Sequence, residues 1–241
     1  MAIFAVINRK GGVGKSTVAT HIASYLAGQG GSVMLGDVDR QQSSRLWLNL
    51  RPASRPPIQG WTVDERNFAR PPSGTRHIVL DTPSGFHGMG LMKVAMYADA
   101  ILLPSSNSVF DRNAANDCLS ELRSVARIAS GKCALACLGM RIDKRTQNAR
   151  ELEKWANANT LDYLGAIKAA QAYSRCMEQG LTLFDFPLEK VSDYLLEWSG
   201  VIGWINEVIQ QTPVRAPETM VSGVDPRIRP VIADVPGFLR R

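Results

Sequence analysis

Short runs of apolar, often β-branched residues alternate along this chain with longer segments whose apolar residues recur at helical spacing. This alternation predicts an α/β fold: a doubly wound, mostly parallel sheet with helices on both faces and its ligand at the carboxyl ends of the strands. The predicted strands are Ile3–Ile7, Val33–Asp37, His77–Asp81, Ala100–Pro104, Ala134–Met140 and, more weakly, Tyr163–Ile167. The predicted helices are Lys15–Leu26, Gln42–Leu50, Gly90–Ala98, Arg112–Ala129, Gln147–Asn157, Ala172–Gln179 and Val191–Gln210.

Turn-forming residues mark where regular structure should stop. Gly28, Gly30 and Gly31 are expected to end the first helix, and Arg51–Gly60, with three prolines, reads as an exposed loop. Residues 212–241 contain five prolines, five arginines and three acidic residues. We therefore expect one domain over residues 1–211, followed by an extended arm or disordered tail over residues 212–241.

Composition narrows the class of protein. The chain has 241 residues, of which 45% are hydrophobic, but no apolar run approaches the roughly eighteen residues of a membrane span. The N-terminus enters a strand at once, without a signal peptide, so we expect a cytoplasmic protein. The formal net charge of +6 favours a polyanionic partner. The four cysteines are expected to be reduced and buried, with Cys133 and Cys137 on one face of a strand.

Residues 10–17, Lys-Gly-Gly-Val-Gly-Lys-Ser-Thr, follow the first predicted strand and indicate a phosphate-binding loop. The common loop begins with a glycine five residues before Gly14, where this chain has Arg9. A second lysine, Lys10, and two glycines stand in its place. Backbone N–H groups at the start of a helix bind anions, and Lys15 would reach the terminal phosphates. The loop therefore predicts a nucleoside triphosphate as ligand.

Carboxylates follow the second and third predicted strands. Asp37 and Asp39 are two residues apart in extended backbone, so both should point toward the phosphates. One would orient Mg²⁺ and its waters, and the other would position or deprotonate the attacking water. Asp81 ends the next strand and would hold a Mg²⁺-bound water, while Gly85 would offer its N–H to the γ-phosphate.

These three segments together resemble the ParA/MinD family of deviant Walker A ATPases over roughly residues 2–210. The resemblance implies a slow, partner-stimulated ATP hydrolase that uses ATP and Mg²⁺ and forms a homodimer around the nucleotide. Lys10 would reach the partner's phosphates and Lys15 those of its own subunit, and Asp39 would align water. Ser16, Asp37 and Asp81 would bind Mg²⁺ directly or through its waters, and Thr17 would contact the α-phosphate. The implied ATP contacts are Lys10, Gly11, Gly12, Val13, Gly14, Lys15, Ser16 and Thr17, with Arg141 stacked on adenine.

Within that family the chain looks closest to the ParA branch. Two segments carry this resemblance: Asp-Arg-Gln-Gln after the second strand, and Tyr173–Phe186. This implies an ATP dimer on nucleoid DNA that binds DNA without sequence preference and partitions or positions a plasmid, chromosome or protein assembly. A cargo-adaptor protein would stimulate hydrolysis. The candidate DNA-binding residues are Lys144, Arg145, Lys168, Arg175, Arg215, Arg227 and Arg229.

Three alternatives remain open on sequence alone. A MinD-like protein would bind membranes through a terminal amphipathic helix, for which the five residues after Pro236 are too few. An iron–sulfur carrier of the same superfamily would need cysteines on loops beside the nucleotide. A biosynthetic ligase would need a second substrate pocket, and no motif here demands one.

Overall fold

Seven parallel strands form one sheet in the computed structural model, which describes residues 1–61, 71–106 and 108–213. The sheet order is β3-β2-β4-β1-β5-β6-β7. The doubly wound α/β class is confirmed, and every strand pair is parallel. The strands are β1 (Ala2–Val6), β2 (Val33–Asp37), β3 (Ile58–Trp61), β4 (His77–Asp81), β5 (Ala100–Ser105), β6 (Ala134–Met140) and β7 (Asp162–Ile167).

Helices cover both faces of the sheet. Successive residues of a strand face opposite ways, so Phe4 joins the core on one face while Ile3 and Ala5 join the core on the other. The first core includes α1 (Lys15–Gly28), α2 (Ser43–Leu50), α7 (Gln171–Met177), α8 (Leu188–Leu195) and α9 (Ser199–Gln211). The second includes α3 (Gly88–Tyr97), α4 (Val109–Arg123), α5 (Ala126–Ala129) and α6 (Gln147–Ala158). Two 3₁₀ turns lie at Leu183–Asp185 and Leu196–Trp198.

Strand register brings the functional segments to one edge. Asp81, the last residue of β4, is level with Val6 at the end of β1 and with Asp37 at the end of β2. The phosphate-loop segment follows β1 directly. The three segments singled out in the sequence therefore meet at the carboxyl edge of the sheet, as expected for this class of fold.

The prediction of an exposed loop over Arg51–Gly60 is wrong at its end, because Ile58–Trp61 forms the edge strand β3 and pairs with β2. Ile58 and Trp61 are buried, whereas Gln59 and Gly60 between them are exposed. Two exposed residues between two buried ones conceal the alternation by which strands are recognised.

Two long predicted helices are each divided. The predicted helix Arg112–Ala129 covers most of α4 and all of α5. The helix breaks at Ser124, whose hydroxyl donates to the carbonyl of Glu121. Such a bond competes with helix continuation. Val191–Gln210 contains part of α8, a 3₁₀ turn and most of α9. Gly28 is the last residue of α1 and not a cap beyond it.

Some predictions lie at or beyond the edge of the described residues. The last helix ends at Gln211, and residues 214–241, most of the predicted tail, are outside the described part of the chain. Within the described ranges, each helix is too short or too polar to span a bilayer.

Candidate functional site

The N-terminus of α1 opens onto the carboxyl edge of the sheet. Gly14 precedes the helix with a φ of 93°, in the left-handed region that favours glycine. A Cβ atom at Gly14 would lie 2.8 Å from Cε of Met140, the flexible end of a side chain that can move, so the positive φ is the main reason for glycine here. The first N–H groups of the 14-residue helix that follows are available to an anion.

Lys15 occupies the centre of the site. Its ammonium nitrogen lies 3.0 Å from the carbonyl oxygen of Lys10 and 3.3 Å from the hydroxyl of Ser84. Burial lowers the pKa of Lys15, and the carboxylates of Asp81 and Asp39 oppose that shift. A buried ammonium between loop and carboxylates is placed to bind phosphate oxygens in its own subunit.

Other predicted nucleotide contacts also bond within the protein. Gly85 donates its N–H to the carbonyl of Arg9 over 2.7 Å, and the guanidinium of Arg141, the predicted adenine contact, donates to the carbonyl of Gly12. The ammonium of Lys15 likewise donates to a loop carbonyl. A nucleotide phosphate at Gly85 and Lys15 would replace these carbonyls as the acceptor and would form charge-assisted hydrogen bonds.

Lys10 points elsewhere. Its ammonium nitrogen lies 3.5 Å from Oδ1 of Asp111, in the first turn of α4, and its side chain is 46% exposed. Its backbone N–H donates to the side-chain oxygen of Asn8 over 2.8 Å. The two lysines of the loop therefore have different surroundings: Lys15 is buried in the site and Lys10 lies at its rim.

Asp37 holds the start of α2. Its Oδ2 accepts hydrogen bonds from the N–H and hydroxyl of Ser44, at 3.0 and 2.9 Å, and from the N–H of Arg45 at 3.1 Å. Its Oδ1 accepts the N–H of Asp39 at 3.0 Å. Asp37 is thus already engaged, and its role as a Mg²⁺ ligand stays a prediction. Asp39 is half-buried and accepts the N–H of Gln41 at 2.9 Å.

Asp81 is buried, and neither of its oxygens accepts a hydrogen bond from the described residues. Burial raises the pKa of Asp81 to about 7; the hydroxyl of Ser16 lowers it and the nearby carboxylate of Asp37 raises it further. An unsatisfied buried carboxylate beside a hydroxyl fits a hard divalent cation, which prefers oxygen ligands. Ser16 and Asp81 are therefore the residues best placed to hold Mg²⁺, directly or through its waters.

A cavity of about 500 Å³ lies beyond the ends of β6 and β7. Its size suits a nucleoside. Arg141, whose φ is 57°, lines it beside the loop residues Gly14 and Thr17. Sequence reasoning named Arg141 but not the other lining residues 169–171, 173 and 174, although their position after the last strand was a signal that could have identified them.

The basic residues proposed for DNA have different environments. Lys144 and Arg145 are exposed in the turn after β6. Lys168 lines the nucleoside cavity and pairs with Glu197 at 3.2 Å, and Arg175 donates to Gln171 at 3.1 Å. The remaining candidates, which lie outside the described residues, are Arg215, Arg227 and Arg229.

The cysteines are buried free thiols. Cys137 lies within β6 and Cys133 one residue before it, and both face the same core. Burial raises the pKa of Cys118, Cys133 and Cys137 to about 12 each. Metal binding needs accessible thiolates, whereas these three cysteines are buried thiols with raised pKa values.

Comparison with known proteins agrees with this geometry. The CobQ/CobB/MinD/ParA nucleotide binding domain family matches residues 4–184. Maintenance of carboxysome distribution protein A from Gloeobacter kilaueensis is 29% identical over 188 residues, which cover 76% of this chain and 84% of that protein. An McdA–ATP complex from Cyanothece has a TM-score of 0.62 at 14% identity, covering 90% of this chain and 99% of the other. MinD from Aquifex aeolicus has a TM-score of 0.64 at 18% identity, covering 90% and 100%.

The family match spans most of the chain and includes all three segments that converge on the site. The loop with its second lysine, the buried Asp81 and the nucleoside cavity lie together at one edge of the sheet. The chain therefore belongs to the CobQ/CobB/MinD/ParA nucleotide binding domain family.

Proposed function

We propose that this protein is an ATP-dependent dimer switch that binds DNA without sequence preference and positions a cargo through an adaptor protein. The observation that carries the proposal is the separation of the two loop lysines. Lys15 is buried beside Asp81, whereas Lys10 lies at the rim and is 46% exposed on its side chain. A rim lysine is available to a nucleotide bound by a second subunit.

The chemistry follows from that arrangement. Lys15 would bind the phosphates of its own subunit, and Asp39 would orient the attacking water. Bound Mg²⁺, held through Ser16 and Asp81, would neutralise phosphate charge. Lys10 would complete the charge stabilisation of phosphoryl transfer only when two subunits meet, so hydrolysis would be tied to the dimer.

DNA binding is proposed from the exposed basic residues after β6. Lys144 and Arg145 lie at the carboxyl edge of the sheet, the same edge as the phosphate loop. A nucleotide-dependent change at that edge could therefore alter how these charges are presented to a phosphate backbone. Such contacts depend steeply on salt because binding releases counterions.

A protein assembly is the cargo class that the comparisons favour. The curated relative is named for the distribution of carboxysomes, which are protein assemblies. For this chain we propose the same class of role, a cytoplasmic, nucleoid-associated ATPase that spaces a large protein body. An adaptor on that body would stimulate hydrolysis and release the dimer from DNA.

The test is a mobility shift on random-sequence duplex DNA with no nucleotide, with ADP and with slowly hydrolysed ATP, across a salt series. We expect binding with the ATP form alone, weakening steeply with salt. Lys144→Gln should weaken it, whereas Lys132→Gln, the same change at an exposed residue before β6, should not. Equal binding in every nucleotide state, or none in any, would contradict the proposal, and in the latter case anionic vesicles become the next test.

A further inference from the structure

The backbone and the ammonium of Lys10 are linked to two consecutive elements, β5 and α4. The Lys10 N–H donates to Oδ1 of Asn8, and the amide nitrogen of Asn8 donates to the carbonyl of Pro104 in β5, both over 2.8 Å. The Lys10 ammonium lies 3.5 Å from Oδ1 of Asp111 in α4. The backbone of this lysine is therefore linked to β5 through Asn8, and its charged end is paired with α4 of the same subunit.

Asp111 is a buried carboxylate that depends on Lys10 for part of its compensation. Its side chain is 7% exposed. Oδ2 accepts the hydroxyl of Ser106, and the backbone N–H donates to the hydroxyl of Ser108. Oδ1 accepts no hydrogen bond from the described residues and has the Lys10 ammonium as its nearby charge. Removing one partner of a buried ion pair is costly, because the other charge stays buried.

We propose that Asp111 is a positioning residue for Lys10, which retains that lysine on its own subunit until a partner's nucleotide competes for it. The inference depends on the proposed role of Lys10 in the partner's site. To reach that site, the Lys10 ammonium must leave Asp111, and the buried carboxylate of Asp111 then has no counterion. The phosphates of ATP, with more charge than one carboxylate, would overcome this cost, and the pair would set how readily the dimer forms.

The magnitude can be bounded. Partly exposed ion pairs are worth about 0.2–1 kcal/mol, which corresponds to a factor of about 1.4 to 5 in an equilibrium constant. A symmetric dimer releases two such pairs, one from each subunit. Removing the charge of Asp111 should therefore lower the dimer dissociation constant by about two- to thirtyfold.

Sedimentation of the full chain with Mg²⁺ and slowly hydrolysed ATP tests this inference. Asp111→Asn should dimerise at about two- to thirtyfold lower protein concentration than the wild type. Asp117→Asn, the same change of charge at an exposed residue of α4, should match the wild type. If the wild type dimerises and Asp111→Asn dimerises equally or more weakly, this inference is overturned but the dimer switch is not. A wild type that stays monomeric with ATP overturns the dimer switch and this inference with it.

A second measurement separates positioning from a merely structural role. Asp111 lies in the first turn of α4, where an acidic side chain stabilises the helix. Loss of that effect alone would lower stability without tightening the dimer. In the nucleotide-free chain, Lys10→Met and Asp111→Asn should be coupled by about 1.4- to fivefold in the unfolding equilibrium constant. Strictly additive effects would show that the two side chains do not interact and would overturn the inference.

Discussion

Arg51 and Asp185 form a buried ion pair with two bonds, at 2.7 Å between Nη2 and Oδ1 and at 3.0 Å between Nη1 and Oδ2. Both side chains are less than 5% exposed. The pair joins the residue after α2 to the 3₁₀ turn Leu183–Asp185, while Asp37 holds the beginning of the same helix. The helix that follows the predicted water-positioning residue Asp39 is thus fixed at both ends.

Arg51→Met should destabilise the protein by about 3–5 kcal/mol, because it leaves the Asp185 carboxylate buried without its partner. Urea unfolding measures the effect. Arg45→Met, at an exposed arginine within α2, should cost less than about 1 kcal/mol. Equal losses from the two variants would show that the ion pair does not stabilise the end of α2.

The same ion pair should make the free energy of unfolding depend on pH in the acidic range. Burial opposes ionisation of Asp185, but hydrogen bonds from Arg51 and Thr182 prevail and lower its pKa below the ordinary value. A lowered folded-state pKa adds stability above the unfolded value of about 3.9 and loses it as pH falls through the folded pKa. Wild type should therefore lose its advantage over Arg51→Met in acid, below about pH 4, and retain it at pH 7.

Asp81→Asn should stabilise the nucleotide-free protein at pH 8 while weakening Mg²⁺-dependent ATP binding. Burial raises the pKa of Asp81 to about 7, so wild-type stability falls as pH rises from about 4 to 7 and the carboxylate ionises. Asparagine does not ionise, so the variant should unfold at a higher temperature than wild type at pH 8 and lose that advantage at about pH 4. Thermal unfolding with and without Mg²⁺ and ATP measures both effects. A variant that is less stable than wild type at pH 8 would contradict this account of Asp81.

Lys10→Ala should retain ATP binding and lose hydrolysis, whereas Lys15→Ala should lose ATP binding itself. The difference follows from position, since Lys15 is buried in the site and Lys10 lies at its rim. Fluorescent nucleotide titration and phosphate release measure the two properties separately. Wild-type turnover by Lys10→Ala would remove the proposed action of this lysine on the partner's nucleotide.

Asp39→Ala should accumulate the ATP dimer, because the dimer would still form but the attacking water would lose its orienting carboxylate. Size measurement by light scattering with hydrolysable ATP should show a persistent dimer, where wild type returns to monomer. An Asp39→Ala chain that cannot dimerise would instead place this residue in nucleotide binding. The half-buried side chain, bonded to a neighbouring N–H, is compatible with substitution without loss of the fold.

Local sequence was sufficient for most of the fold. The strands Val33–Asp37, His77–Asp81 and Ala134–Met140 match their predicted bounds, because their apolar runs are short, β-rich and clearly bounded. Ile58–Trp61 was missed because its two buried residues are separated by two exposed ones, which conceals the alternation typical of a strand. The division of the long helices depends on local bonds, such as that of Ser124, which spacing does not reveal.

The sequence by itself determined the phosphate loop, the α/β class and the order of the carboxylates, since each depends on residues adjacent in the chain. Tertiary structure decided which groups are already engaged. It engages Oδ2 of Asp37 with the start of α2, leaves the oxygens of Asp81 without hydrogen bonds from the described residues, and places Lys10 against Asp111, 101 positions away in the numbering. Burial and pairing depend on what folding brings alongside a side chain, so no local pattern along the chain encodes them.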